Sequence, residues 1–208
     1  MIWWNGFINR FLIRIFDILF SSIGLIILSP IFFIVGLIIF IDSPGKIIFA
    51  QSRVGKNNTD FRLYKFRTMY TNADCHGLIT IGNKDLRITR FGAIVRKYKL
   101  DELPQLVNVL KGEMSLVGPR PEVRHYTEQY SPAQQMIVLS VKPGITDLAS
   151  IEYSKENELL SKVSDPENYY IKTIIPAKLQ LNLIFIENPT LRNYLRIIFR
   201  TLGKLITH

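Results

Sequence analysis

The sequence predicts an α+β fold, and three observations carry that prediction. They are an uncharged apolar run from Ile18 to Ile41, two short strand-like segments around a polar loop, and helical periodicity through most of the remainder. With 208 residues the chain has room for one compact unit with its own core plus an apolar N-terminal element, a division placed at 1–45 and 46–208. The net charge of +9 implies anionic partners: nucleic acid, acidic lipid headgroups or phosphorylated substrates. One cysteine, Cys75, excludes an internal disulfide and a thiolate zinc cluster. Three scattered histidines, His76, His125 and His208, argue against a histidine metal site.

The apolar run holds 24 residues between Asp17 and Asp42. As a straight helix it would reach about 36 Å, enough for a bilayer core of about 30 Å. It is longer than the apolar region of a signal peptide and lacks a small-residue cleavage site, so it is expected to stay attached. Pro30 stands at its centre, where the ring clashes with the preceding turn and the missing amide would have bonded the Ile26 carbonyl. Ser29 can turn its hydroxyl back to the Leu25 carbonyl, which also favours bending. A break at Ser29-Pro30 leaves two halves of 11 residues, each about half a bilayer long. Arg10 and Arg14 precede the run, and Lys46, Arg53, Lys56, Arg62, Lys65 and Arg67 follow it, so the positive-inside rule favours both ends on the cytoplasmic side. Physics leaves two readings open: a re-entrant helix hairpin dipping into one leaflet, and a kinked spanning helix.

Asp42-Ser43-Pro44-Gly45 is a turn signal, and Ile47 to Gln51 and Phe61 to Phe66 read as strands of a short β-hairpin around Gly55 to Asp60. In Tyr64-Lys65-Phe66-Arg67-Thr68-Met69, strand alternation puts Lys65 and Arg67 on one face. Gly92 to Leu110 reads as helix interrupted near Leu100 to Pro104, so Asp101 and Glu102 fall near a helix N-terminus, where exposed amides favour anions. There the pair either caps the helix or supplies a nucleophile and magnesium ligands.

Pro119 and Pro121 clamp Arg120 into an extended loop, which suits it either to phosphate oxygens or to a salt bridge with Glu113 or Glu122. Lys142-Pro143-Gly144-Ile145-Thr146 reads as a further turn. In the tail, Leu191, Leu195, Ile198, Leu202 and Leu205 recur at helical spacing beside Arg192, Arg196, Arg200 and Lys204, the pattern of an amphipathic interfacial helix on an anionic leaflet. The cations are divided among several elements, with no stacking platform and no recognised nucleic-acid motif, so no nucleic acid partner is expected.

Taken as a set, Asp42-Ser43-Pro44-Gly45, Arg53-Val54-Gly55, Tyr64 to Met69, Leu100-Asp101-Glu102-Leu103-Pro104-Gln105-Leu106, Asn108 to Glu122 and Pro143-Gly144-Ile145-Thr146 resemble the bacterial sugar transferases called monotopic phosphoglycosyl transferases. The resemblance runs from about Arg10 to Ala149 and is thin after Ser150.

It implies a membrane-bound enzyme that moves a sugar 1-phosphate from a UDP-sugar to a polyprenol (undecaprenyl) phosphate and releases UMP. In that family Asp101 would be the covalent nucleophile, Glu102 its dyad partner, and Mg2+ would bind at the pair. Arg96 and Arg120 would contact phosphate, with Lys65 and Arg67 as secondary contacts. Ser29 and Pro30 match the family's re-entrant break. The implied architecture is a monotopic hairpin followed by a small, mostly helical catalytic domain on the cytoplasmic face of the bacterial inner membrane, in the minimal single-domain form. Two positions depart from the pattern: Lys142 stands where arginine is expected, and Asp147-Leu148 where Gly-Leu is expected. The competing class is a membrane-anchored basic adaptor for acidic lipid or nucleic acid, in which Asp101 would be only a cap.

Overall fold

The computed structural model describes residues 2–71 and 85–206, with side chains over 8–71 and 85–204. Cys75, His76 and His208 lie outside the described residues. The chain folds as helices α1 (Ile2–Ile27) and α2 (Ser29–Asp42), strands β1 (Ile48–Val54) and β2 (Asp60–Phe66), then α3 (Arg90–Lys97), α4 (Gln105–Lys111) and β3 (Ser115–Val117). There follow α5 (Arg124–Thr127), α6 (Pro132–Val138), β4 (Gly144–Thr146), α7 (Leu148–Glu152), α8 (Glu156–Leu160), α9 (Pro166–Tyr169), α10 (Ile175–Glu187) and α11 (Leu191–Ile206). Helices dominate and the strands are short, in keeping with the α+β class.

The break between α1 and α2 falls where Pro30 puts it, and the two helices are bent by 60°. Pro30 deprives the Ile26 carbonyl of its helical donor, and Ser29 Oγ supplies the substitute at 2.8 Å. The hydroxyl therefore reaches Ile26, not Leu25 as the sequence suggested, because that is the carbonyl left without a partner. Among the described residues no single helix is long and apolar enough to cross a membrane, although the bent pair meets the length and composition requirement together.

Asp17 and Arg14, expected as flanking charges, are turned towards the protein. Asp17 is 1% exposed and accepts hydrogen bonds from Ser115 Oγ at 3.0 Å, Leu116 N at 2.9 Å and Tyr194 Oη at 2.8 Å. Arg14 donates to the Val109 and Leu110 carbonyls at 2.7 and 3.0 Å. These are C-terminal carbonyls of α4, where a cation is favoured; that of Val109 also accepts from Gly112 N at 3.0 Å. Beyond them Gly112 ends the helix at φ 83°, a conformation in which a side chain would be strained.

Two small sheets lie between the helices. The β1–β2 pair is antiparallel, from Ile48 opposite Phe66 to Val54 opposite Asp60, and turns through Asn57 and Asn58 at positive φ, which asparagine tolerates. The second pair, β3 with β4, is parallel and joins Ser115 to Gly144 and Val117 to Thr146. The segment Gly144–Thr146, expected as a plain turn, is thus a strand. Its pairing needs glycine, since a Cβ on Gly144 would collide with the backbone of Gly118.

The apolar clusters cross the 45/46 division. Val35 and Ile39 of α2 pack with Phe66 and Val95, while Ile13 and Phe16 of α1 pack on a cluster containing Val117, Tyr194 and Ile197. The buried face of α11 is centred on Tyr194 and Ile197, with Leu191, Leu195 and Ile198 at its edges. That face is rotated from the leucine stripe read in the sequence, because Tyr194 must reach Asp17. Phe199 and Leu202 remain exposed, as do Arg192, Arg196, Arg200 and Lys204.

Replacing Asp17 with alanine leaves three buried donors unpaired and is expected to cost roughly 3 kcal/mol or more, whereas Tyr194→Phe should cost about 1 kcal/mol. Thermal unfolding in detergent reads both. Wild-type melting of Asp17→Ala would show that these bonds do not hold α1 to the domain.

Candidate active site

The chain leaves α3 through Lys99, which takes a left-handed conformation at φ 56° and reverses the backbone. Leu100–Glu102 then forms a single 3-10 turn, and Pro104 leads into α4. No side chain caps the amides of α4, so the capping reading of Asp101 and Glu102 does not hold. Among the described residues the two carboxylates look instead onto β2 and the Pro119-Arg120-Pro121 loop.

Their environments differ sharply. Both oxygens of Glu102 accept from the Arg120 fork, Oε2 from Nη1 at 3.3 Å and Oε1 from Nη2, and Oε1 also accepts from Lys65 Nζ at 3.3 Å. Burial alone would raise the Glu102 pKa, but the charges of Arg120 and Lys65 outweigh it and hold the carboxyl well below the ordinary value. Asp101 is 8% exposed, and its Oδ1 is buried with no hydrogen-bond partner among the described residues. Burial first, and the Glu102 charge second, push its pKa up against the opposing pull of Lys65, Arg96 and Lys99. Neighbouring acids driven apart in this way are suited to different tasks.

The cations respond in kind. The Glu102 charge raises the Arg120 pKa, while burial lowers those of Lys65 and Arg96 despite the acids beside them. Four cations, Lys65, Arg96, Lys99 and Arg120, thus act on two carboxylates, an excess that favours an anionic ligand. About a third of the Arg120 side chain remains open to solvent. Among the described residues no group of three or more His, Cys, Asp or Glu side chains converges. Any metal here would therefore rest on Asp101 and Glu102, of which Asp101 has the free oxygen.

The structure brings together five of the residues read from the sequence: Asp101, Glu102, Arg96, Arg120 and Lys65. It does not bring Arg67 to them. That side chain is buried, and its guanidinium donates to the Ser43 carbonyl and to the Pro44 carbonyl at 3.1 Å, closing the turn after α2. β2 ends at Phe66, so the alternation that paired Lys65 with Arg67 stops one residue too soon. Ser29 and Pro30 sit at the helix break. The salt bridge foreseen for Arg120 exists, but with Glu102 rather than Glu113 or Glu122.

Three residues that the sequence reading named without placing them at the site support it. Asp147 accepts from Arg120 N at 2.9 Å with one oxygen and caps α7 through Ser150 N with the other, and so fixes the loop backbone. Arg53 donates to the Pro121 carbonyl at 3.2 Å and lies 3.7 Å from Glu122. Glu122 in turn accepts from Tyr170 Oη at 2.7 Å. The Asp147-Leu148 junction carried the sequence signal of an N-cap before a short helix; the other two contacts join segments far apart in the chain.

Residues 8–208 match the family model described as bacterial sugar transferase. Among curated relatives, the chain is 36% identical over 202 residues to the UDP-N-acetylgalactosamine-undecaprenyl-phosphate N-acetylgalactosaminephosphotransferase of Aeromonas hydrophila, covering 96% of this chain and 45% of that protein. It is 36% identical over 203 residues to the UDP-glucose:undecaprenyl-phosphate glucose-1-phosphate transferase of Klebsiella pneumoniae, covering 96% and 41%. To the exopolysaccharide production protein ExoY of Rhizobium meliloti (strain 1021) it is 34% identical over 171 residues, 75% of each chain. The chain therefore spans less than half the length of the first two of these relatives. With the family model matched along nearly its whole length, the chain belongs to the bacterial sugar transferase family.

Proposed function

We propose that the chain transfers a sugar 1-phosphate from a UDP-sugar to a polyprenol phosphate at a membrane surface, through a phosphosugar carried on Asp101. The observation that carries this reading is the divided dyad: Asp101 buried with a free oxygen, beside Glu102 locked to Arg120 and Lys65. The names of the relatives, with undecaprenyl phosphate and UDP-sugars in them, support the same substrates.

An Asp101 oxygen attacks the sugar-linked phosphorus, and the bond from that phosphorus to the bridging oxygen breaks, so UMP leaves with the electron pair. A phosphate oxygen of the polyprenol phosphate then attacks the same phosphorus and displaces the carboxylate, giving the polyprenol diphosphate sugar. Neither step needs a general base, since both nucleophiles are already anions. The raised pKa makes Asp101 the more basic and so the better nucleophile of the two acids. Arg120, Arg96 and Lys65 neutralise charge on the equatorial oxygens, and splitting the transfer in two spares the bulky anions a direct encounter. Asp101, assisted by Glu102, would hold Mg2+, which takes oxygen ligands, needs few carboxylates when phosphates complete its shell, and would screen the diphosphate.

The re-entrant hairpin belongs to this proposal, with the domain on the cytoplasmic face of the inner membrane. The 60° bend supports it, as do the exposed Ile26, Ile27, Phe33 and Ile41 on the two helices. Exposed Phe199 and Leu202, beside Arg196 and Arg200, support α11 as a further contact with an anionic leaflet. The adaptor reading makes Asp101 a helix cap, and no side-chain cap bond is made at the start of α4.

Detergent-solubilised chain incubated with magnesium, polyprenol phosphate and a panel of UDP-sugars is expected to release UMP, and chelation of magnesium should stop it. UDP in place of UMP would signify direct glycosyl transfer instead. With donor alone, intact mass should show a phosphosugar adduct that Asp101→Asn abolishes, with turnover falling on the order of 10³-fold or more; an adduct surviving in that variant sinks the nucleophile assignment.

The pH profile gives an independent check. Attack requires the carboxylate, so a raised Asp101 pKa means that activity is lost, as pH falls, at a higher pH than for an ordinary aspartate with pKa 3.8. Glu102→Gln removes a charge that raises this pKa and frees Arg120 and Lys65 to lower it. The acid limb should therefore move to lower pH, while Arg120 loses its anchor and maximal turnover drops. An unmoved limb would show that the two acids are not coupled.

A further inference from the structure

The buried face of the segment that carries the dyad continues past it. From Leu100 into α4 the backbone keeps a right-handed helical course, with Leu103 N bonded to the Leu100 carbonyl and Leu106 N to the Leu103 carbonyl. Residues 101, 104, 105, 108 and 109 are its buried positions, the spacing of a single helical face. Three of these side chains are polar: Asp101, Gln105 and Asn108. The Asn108 carboxamide is satisfied, since it donates to the Arg62 carbonyl and to Glu113, both at 2.7 Å, and accepts from Tyr64 N at 3.0 Å. Gln105 is only 2% exposed, yet its Nε2 is buried with no acceptor among the described residues. One turn away on the same face, Asp101 Oδ1 is buried with no donor. Glu102, three residues before Gln105, has both oxygens committed to Arg120 and Lys65.

An unpaired buried donor costs the folded chain stability, so this one has a use elsewhere or none. Asp101 is the complementary group within reach. Rotation of either side chain, or one bridging water, joins donor to acceptor without moving the backbone. In the proposed reaction the two oxygens of Asp101 take different courses. Attack bonds one of them to phosphorus, and the other becomes the uncharged carbonyl oxygen of an acyl phosphate. In the second step a polyprenol phosphate oxygen bonds to phosphorus, the bond from phosphorus to the Asp101 oxygen breaks, and its electron pair returns to the carboxylate. Negative charge then reappears on both oxygens, and an N–H beside the second stabilises it as it forms. A hydrogen bond to a charged acceptor is stronger than one to a neutral carbonyl. The same donor therefore assists the departure of Asp101 and not its attack, which draws charge out of the carboxylate.

We infer that Gln105 is a positioning residue of the second half-reaction, donating from Nε2 to the Asp101 oxygen that is not bonded to phosphorus and making the carboxylate a better leaving group. This rests on the covalent role proposed for Asp101. Gln105→Met keeps the side-chain length and removes the donor. Each chain is loaded with the UDP-sugar that supports turnover, the phosphosugar adduct is followed by intact mass, and its discharge is timed after polyprenol phosphate is added. In the variant the adduct should form at the wild-type rate or faster, discharge about tenfold more slowly or worse, and accumulate during turnover. Its melting temperature should be no lower than wild type, because the residue lost is an unpaired buried donor. Gln105→Leu is measured in parallel, since the position is buried.

Equal slowing of both steps, or discharge at the wild-type rate, overturns the assignment. So does a loss of thermal stability in both variants with the balance between the steps unchanged, which would show that the amide is held by a neighbour such as Ser21 of α1, whose Oγ is also buried without a partner among the described residues. Failure of both variants to fold would likewise make the amide structural. The two proposals fail distinguishably. A wild-type chain that releases UMP and carries no adduct sinks the covalent reading, and this inference with it. A wild-type adduct that Gln105→Met discharges at the same rate sinks this one alone.

Discussion

The arrangement of the site depends on two adjacent turns of α1. Asp17 fixes the start of β3 through Ser115 and Leu116, and β3 runs straight into Gly118-Pro119-Arg120-Pro121. One turn earlier, Arg14 fixes the far end of α4, the helix that begins just after Asp101 and Glu102. The two halves of the site, carboxylates and arginine loop, are therefore positioned against the same short stretch of the N-terminal helix. Tyr194 adds α11 to the same carboxylate. A buried ionisable group is weak evidence for net stability, yet removing one partner leaves the others unsatisfied, and such contacts resist being broken singly. Whatever depth α1 and α2 adopt, the dyad and Arg120 move with them.

Within that frame the local electrostatics are asymmetric by construction. Glu102 has the fork of Arg120 and the ammonium of Lys65, so its negative charge is held in place. Asp101, its neighbour, is equally shielded from water but has a free oxygen. Glu102 also orients Arg120, both of whose terminal nitrogens donate to its carboxylate. Asp147 and Arg53 extend this order one layer outward by holding the loop backbone on both sides of Arg120.

What could be read from the sequence was what short-range chemistry determines. Pro30 forces a break, Gly55 to Asp60 turns a hairpin, and a proline two residues after Glu102 ends one turn and begins a helix. Contacts that depend on distant pairing were not legible. Arg67 reaches carbonyls 23 and 24 residues upstream, and the parallel β3–β4 pairing joins segments whose local sequence looks like a loop and a turn. In α11 the apolar period was plain but its phase was not, because the phase is fixed by Asp17, 177 residues earlier. Asp101 and Glu102 were legible as a pair, but the difference between their environments depends on Lys65 and Arg120, which come from two other segments.

The two positions read in the sequence as departing from the expected pattern, Lys142 and Asp147, both take part in long-range contacts. Asp147 supplies an acceptor to the Arg120 amide, which a glycine could not do with its side chain. Lys142 lies with Arg14 against Gly112, at the C-terminal end of α4. A cation there meets the negative end of the helix, a role for which lysine and arginine are nearly equivalent because no planar fork is required. Both stand where backbone is being held, Asp147 at the Arg120 amide and Lys142 beside Gly112.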